Sequence, residues 1–423
     1  MDNLKLYQLA HDSLLNLATE EGINASGKND IYGCVFGRDT ALTVLKILRA
    51  HKKQPNTALL EISKRALLSL VKLQGTEVNI ESGEQPGKFI HEFRKTDFGH
   101  LLSGERPWYV YPDGLMRNYD SIDATPLALI ALYKYWEATQ DNGFLLAVLP
   151  AVEAGLNWIV TYGDIDKDQL LEYEFPEERR FGGLSVHSWT DSHQSVIRHD
   201  GTFPAYPIAP IEVQGFAWLA LKLWGDFYLT QSPTFAHKII SFADAVKRKF
   251  NQKFIFKDYG IYFGAQALDG RKSQIQTVTG NPLLCLWAAY QGNGRVESIV
   301  DERYIPGFIK RTFLPDMFIE DAGIRTMSAL APNFNPNQDS YHNGSFWPIL
   351  NGLAIEGLEN FGFVEEAEKL KTASLKPFAH FSSPVELYIR NAEGYSRYCN
   401  AHGQTSCQDQ AWSAAALLDM TTV

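Results

Sequence analysis

In the stretch SVHSWTDSHQSVIRHDG, residues 185–201, a carboxylate (Asp191) sits beside Trp189 among hydroxyls and histidines, with no apolar period around it. A surface loop has little need for that tryptophan, and a core segment would not select that aspartate. Other stretches mix acids, amides and aromatics in the same way: FGRDT (36–40), GKFIHEFR (87–94), YDSIDATP (119–126), PIEVQG (210–215), YHNGSFWP (341–348) and PVELY (384–388). Together they supply the carboxylates Asp39, Glu92, Asp123, Asp191, Glu212 and Glu386 and the flat apolar surfaces of Phe36, Trp189 and Trp347, with Trp108 lying between two of the stretches. Arg38, His91, Arg94, His342, Gln214, Tyr341 and Asn343 add further polar groups, with Gly344 at a turn. A cup of this composition suits a sugar. Hydroxyls pair with carboxylates and guanidinium groups, and the C–H faces of the ring pack on aromatic planes.

Each stretch alone has a plainer explanation. Arg38-Asp39, Asp123 and Glu212 all stand where a helix would begin, so charge at the dipole or a cap accounts for them. Glu92 and Arg94 could form an ordinary ion pair along a strand, and 341–344 could be a simple turn. Asp191 and Glu386 resist such readings. The first precedes no recognisable helix, and the second lies between Pro384 and an apolar-aromatic run.

Positioning these groups requires a scaffold. Helical periodicity marks twelve segments, at 3–20, 38–52, 56–74, 123–138, 143–161, 211–230, 234–250, 281–292, 297–311, 344–360, 363–375 and 408–420. Asp123 and Asn281, each close to a proline, are expected N-caps. Short connections (53–55, 139–142, 231–233, 293–296, 361–362) alternate with long ones (21–37, 75–122, 162–210, 251–280, 312–343, 376–407). Long structureless loops are usually functional. Strict alternation places them all on one face of six helical hairpins closed into a ring. The expected fold is therefore all-α, an (α/α)6 barrel in a single domain over 1–423. Short β-hairpins should lie in the long loops, with strand-like sequence at Leu170–Phe175 and a turn within Phe254–Phe263.

Composition limits the partners. A net charge of −10 argues against a nucleic-acid or anionic-membrane surface. No apolar run approaches the roughly 20 residues of a bilayer span, and the N-terminus reads as an amphipathic helix, so a cytoplasmic protein is expected. Cysteines 34, 285, 399 and 407 show no CxxC spacing and are expected as free thiols, a 399–407 bridge being the one pairing in reach. Neither a zinc signature nor a nucleotide-binding glycine motif is present, so no metal and no organic cofactor is expected.

The ordered set GRDT, HE-x-R, SIDATPL, W-x-DS, PIAPIEVQG, GIRTMS, YHNGS-x-WP, P-x-EL and QAW resembles the six-hairpin glycosidases of the amylo-α-1,6-glucosidase type. It is also similar to glycoside hydrolase family 63, including the short mannosylglycerate and glucosylglycerate hydrolases. This resemblance implies an inverting, exo-acting α-glycoside hydrolase, with Asp191 as general acid and Glu386 as general base. It also implies that Arg38, Asp39, Asp123 and the YHNGS–Trp segment line the sugar pocket. The expected partner is a small carbohydrate releasing terminal glucose or mannose, with self-association left open. For a glycerate aglycone, Arg94 and Arg198 are the candidate cations. Two other classes compete: a sugar 2-epimerase on the same barrel, which would need histidine bases, and a sugar-binding protein without catalysis.

Overall fold

The computed structural model describes residues 3–292 and 294–422. Its helices are α1 (Asn3–Leu17), α2 (Gly37–Lys53), α3 (Thr57–Lys72), α4 (Gly99–Leu102), α5 (Ala124–Thr139), α6 (Asn142–Thr161) and α7 (Ile211–Gln231). They continue with α8 (Pro233–Lys253), α9 (Leu284–Trp287), α10 (Ile305–Thr312), α11 (Pro348–Asn360), α12 (Val364–Phe381) and α13 (Ala411–Thr421). Six of these form a circuit. Helix α2 packs on α5, α5 on α7, α7 on α9, α9 on α11, α11 on α13, and α13 returns to α2.

Burial follows from place in the circuit. In α5 the residues from Ala124 to Leu132 are buried without a break, and in α13 every residue is. A helix flanked on both sides and covered from outside must be apolar all round. Outer helices show one stripe instead. Helix α3 buries Leu59, Ile62, Ala66, Leu67 and Leu70, three or four residues apart, and leaves its other face polar. One large cluster of buried side chains runs from Leu6 to Met420, with a small second one of Ala322, Phe346, Val385 and Tyr388.

Several expectations need correction. The apolar run expected as a helix over 281–292 is helical only to Trp287, as a 3-10 turn (Asn281–Leu283) followed by α9. Tyr290–Gly292 then pairs with Arg295–Glu297 as a hairpin, so 295 and 296, expected in a connection, lie in a strand and the next helix starts later than 297. Asn293 lies outside the described residues. Leu170–Phe175 forms no strand, only a bridge between Tyr173 and Ile208, whereas Ile255–Asp258 and Ile261–Gly264 do form the expected hairpin. Asp123 does not cap α5 with its side chain; the Ser121 hydroxyl accepts from the Ala124 amide instead. Asn281 is not a cap either, since Gly280 holds that position. Helix α6 is, by length and composition, long and apolar enough to cross a membrane. Its burial of Phe144, Val148, Val152, Leu156 and Ile159 accounts for much of that character.

The long connections carry the small sheets. Val35–Phe36, Glu92–Arg94 and Met116–Asn118 form three antiparallel strands with Glu92–Arg94 in the middle. The first strand runs straight into α2 through Gly37. A Cβ there would stand 2.0 Å from the Ile90 carbonyl oxygen. Only glycine lets the helix start this close to the middle strand, and that approach aims the next two residues, Arg38 and Asp39, at the long-loop face.

Candidate active site

Arg38 organises one side of the site. Its Nε donates to Asp123 Oδ2 (2.8 Å), Nη1 to Asp191 Oδ2 (2.9 Å) and Nη2 to the Ser188 carbonyl (3.0 Å). The guanidinium is buried, so its fork is held rigidly between α5 and the loop carrying Asp191. Burial raises the Asp191 carboxyl above its ordinary range, the Arg38 charge and hydrogen bond pull it back, and Asp123 pushes it up again. Asp123 does not line the cavity: fully buried, it braces Arg38 and accepts from the Ser121 hydroxyl.

Glu386 stands on a different long loop. One oxygen accepts from the Tyr341 hydroxyl, and the other accepts from the Cys407 amide at 2.9 Å. Burial pushes this carboxyl up to about 7, while the same two donors restrain it. Asp39, bonded by Gln410 Nε2 at 3.0 Å, is likewise raised by burial to about 7, with Arg38 pulling the other way. The two acids thus differ. Asp191 touches a cation and Glu386 touches none, so a proton shared by the free site rests preferentially on Glu386.

Asp191, Glu386 and Asp39 open on one cavity of about 280 Å³. Phe36, Arg38, His91, Glu92, Arg94, Trp108, Trp189, Tyr341, His342 and Trp347 line it too. Trp189 and Trp347 meet at right angles with centroids 5.7 Å apart, and Trp412 meets Trp347 in the same way at 5.8 Å. His342 lies flat on Trp347 at 4.8 Å. Burial, then the Arg38 charge, holds His342 well below the usual imidazole range, so the ring is neutral. Its Nδ1 accepts from the Ser192 amide and lies 2.9 Å from the Ser192 hydroxyl. The proton therefore belongs on Nε2, which has no protein partner. His91 is neutral for the same reason, chiefly burial.

Four other expected residues lie away from the cavity. Glu212 accepts from Asn281 Nδ2 (3.1 Å), and Asn281 Oδ1 accepts from Trp189 Nε1 (3.1 Å), so Glu212 supports the tryptophan from behind. Gln214 binds the Leu171 and Pro210 backbone, and Asn343 donates to the Gln194 carbonyl. Gly344 packs against Phe334. Arg198 is tied to Asp269, whereas Arg94 reaches the cavity already paired with Glu92. The sequence reading did not place Tyr32, His100, Gln404, Gln410 and Trp412 here, although QAW belonged to the motif set. The four cysteines are free thiols.

Residues 107–419 match the amylo-alpha-1,6-glucosidase family profile, which is most of the chain. No curated protein matches significantly. Among solved structures, the GH63 mannosylglycerate hydrolase of Thermus thermophilus in complex with glucose superposes with a TM-score of 0.68 at 14% identity. That alignment covers 98% of this chain and 99% of the other. The same hydrolase with Tris and D-glycerate gives 0.66 at 14% identity and the same coverage. A glycosidase variant solved with glucose gives 0.61 at 14%, over 99% of this chain and 96% of that one. The shared fold extends over essentially the whole chain, and the profile match assigns its lineage: the chain belongs to the amylo-α-1,6-glucosidase family of glycoside hydrolases.

Proposed function

We propose that the protein is an inverting, exo-acting α-glycoside hydrolase built as one (α/α)6 barrel domain. In this reading Asp191 is the general acid and Glu386 the general base. The observation that carries it is the opening of two carboxylates from separate loops, Glu386 buried and Asp191 partly exposed, onto one tryptophan-walled cavity. At about 280 Å³ the cavity is small for a ligand pocket, which suits one terminal sugar and a short aglycone rather than a polymer. Glucose, bound in the Thermus relative, and mannose both remain candidate glycones.

Arg38 occupies Asp191 Oδ2, so Oδ1 is the oxygen that delivers the proton to the leaving group. Glu386, ionised, takes a proton from a water attacking the opposite face of the anomeric carbon. Inversion needs room for that water, which corresponds to roughly 6.5–9.5 Å between the carboxyl groups. The working form has its proton on Asp191, the reverse of the preference in the free site, so the active protonation state is a minority form. His342 Nε2–H and Trp412 Nε1–H, both without protein partners, are donors available to sugar hydroxyls. An epimerase is disfavoured because His91 and His342 are held well below the range of an effective base, and burial lowers the third cavity histidine, His100, as well. Free thiols suit a reducing compartment, consistent with a cytoplasmic enzyme.

The decisive experiment is a hydrolysis screen over α-glucosides, α-mannosides, trehalose and glycosyl-glycerates, with the first-formed anomer read by proton NMR. Release of the β-anomer supports inversion. Release of the α-anomer would replace it with retention, and an inert panel would favour the binding-protein alternative.

A further inference from the structure

Beyond the sugar cavity, the connection after α6 reads Asp164-Ile-Asp166-Lys-Asp168-Gln-Leu-Leu-Glu172. One carboxylate oxygen from each of Asp164, Asp166, Asp168 and Glu172 lies within 4.8 Å of the other three. Acids at the first, third and fifth positions of a loop are how calcium loops converge their oxygens, with a sharp backbone turn at the sixth. The sixth residue here is Gln169, and its φ of +75° is the left-handed conformation that glycine usually supplies.

The charge of the cluster is poorly balanced. Lys272, from the connection after the Ile261–Gly264 strand, places Nζ 2.9 Å from Asp166 and 3.3 Å from Asp168, and also contacts Glu172. Lys167 donates to the Thr161 and Asp164 carbonyls, and its charge also acts on the Asp164 carboxylate. Four carboxylates against two ammoniums leave two uncompensated negative charges. In addition, Asp164 Oδ1 and Glu172 Oε2 have no hydrogen-bond partner, although the two residues are only 3% and 2% exposed. A buried carboxylate oxygen without a donor is costly, and a divalent cation would satisfy both. An all-oxygen set rich in protein carboxylates selects Ca²⁺ over zinc, which prefers nitrogen and sulfur, and over Mg²⁺, which keeps much of its water.

We infer that the loop Asp164–Glu172 binds one Ca²⁺ ion, which displaces the Lys272 ammonium from among the carboxylates. The next residue, Tyr173, bridges to Ile208, so the ion sits at the base of the long connection that presents Asp191. Its effect is to brace that connection.

The test is isothermal titration of the chelator-treated full chain with CaCl₂, alongside thermal melts. One Ca²⁺ per chain with a Kd below about 1 mM, the weak end for protein calcium sites, and a higher melting temperature are expected. Asp166→Asn and Asp168→Asn change partly exposed residues, so their folds should persist while affinity falls about tenfold or more each, as fewer charged ligands remain. Lys272→Met should bind more tightly than the parent. Failure of the parent to bind Ca²⁺ at about 1 mM would overturn the inference. That holds even if Lys272→Met binds, because lysine would then be the resident cation. Preference for Mg²⁺ would overturn it as well.

Discussion

Replacing Tyr341 by phenylalanine removes one of the two donors that favour ionised Glu386. Glu386 is 2% exposed, so water does not readily take the place of the lost donor. A hydrogen bond to a charged group contributes about 1.5–3 kcal/mol. At about 1.36 kcal/mol per pKa unit, the Glu386 carboxyl should rise by about one to two units above its value of about 7. The sign of the kinetic effect follows from the proton order. With Glu386 the weaker acid of the pair and the working form carrying its proton on Asp191, the alkaline limb of kcat/KM belongs to Glu386. Tyr341→Phe should therefore move the alkaline limb up by about one to two pH units and lower the plateau and acid side about 10- to 100-fold. Above both limbs the working fraction depends only on Asp191, so variant and parent should converge there. The assay is a pH profile of kcat/KM on the best substrate from the screen. An unmoved alkaline limb, or an equal loss at every pH, would refute both the assignment of Glu386 and the proton order.

Asp191→Asn should cost natural glycosides about 10²–10⁴-fold but glycosyl fluorides far less, because fluoride departs with little protonation. Glu386→Gln should slow both alike, and the opposite pattern would exchange the two roles. Asp39→Ala, which removes a cavity carboxylate bonded to Gln410, should lower kcat/KM about 10- to 100-fold with an unchanged circular dichroism spectrum. Unfolding instead would make Asp39 a helix-start residue. Asp120→Ala leaves the buried Arg179, 2.7 Å away in the parent, without its carboxylate. It should cost about 3–5 kcal/mol, read as a lower urea midpoint.

Legibility in the sequence tracked how local each cause is. The runs in α5 and α7 are apolar all round because of where they sit, so their inner position is written in their own residues. The run at 281–292 misled because a short buried turn and a helix look the same by apolarity. The Asn-Gly sequence that follows the run, a hairpin signal, separates the two. In the site, Asp191 and Glu386 stood out for lack of any local reason to exist. Asp123, Glu212 and Gln214 could not be separated from ligand-binding residues, since a polar group facing a sugar and one bracing a neighbour have the same composition and spacing. Distinguishing them took the Arg38 fork and the Asn281 relay, whose partners are distant in sequence.

The circuit of helices is sealed where α13 meets α2, and that seam passes through the cavity: Gln410 bonds Asp39 across a separation of 371 residues, and the Ala411 amide donates to Ala25. Contacts this remote form late, after the nearby helical pairs have settled. A refolding chain would therefore regain nearly all its helical signal while Asp39, Trp412 and the rest of the cavity wall still lacked their final positions. Hydrolytic competence would return only with the closing of the seam. Turnover is thus a more exacting gauge of a properly finished molecule than any spectrum of its backbone.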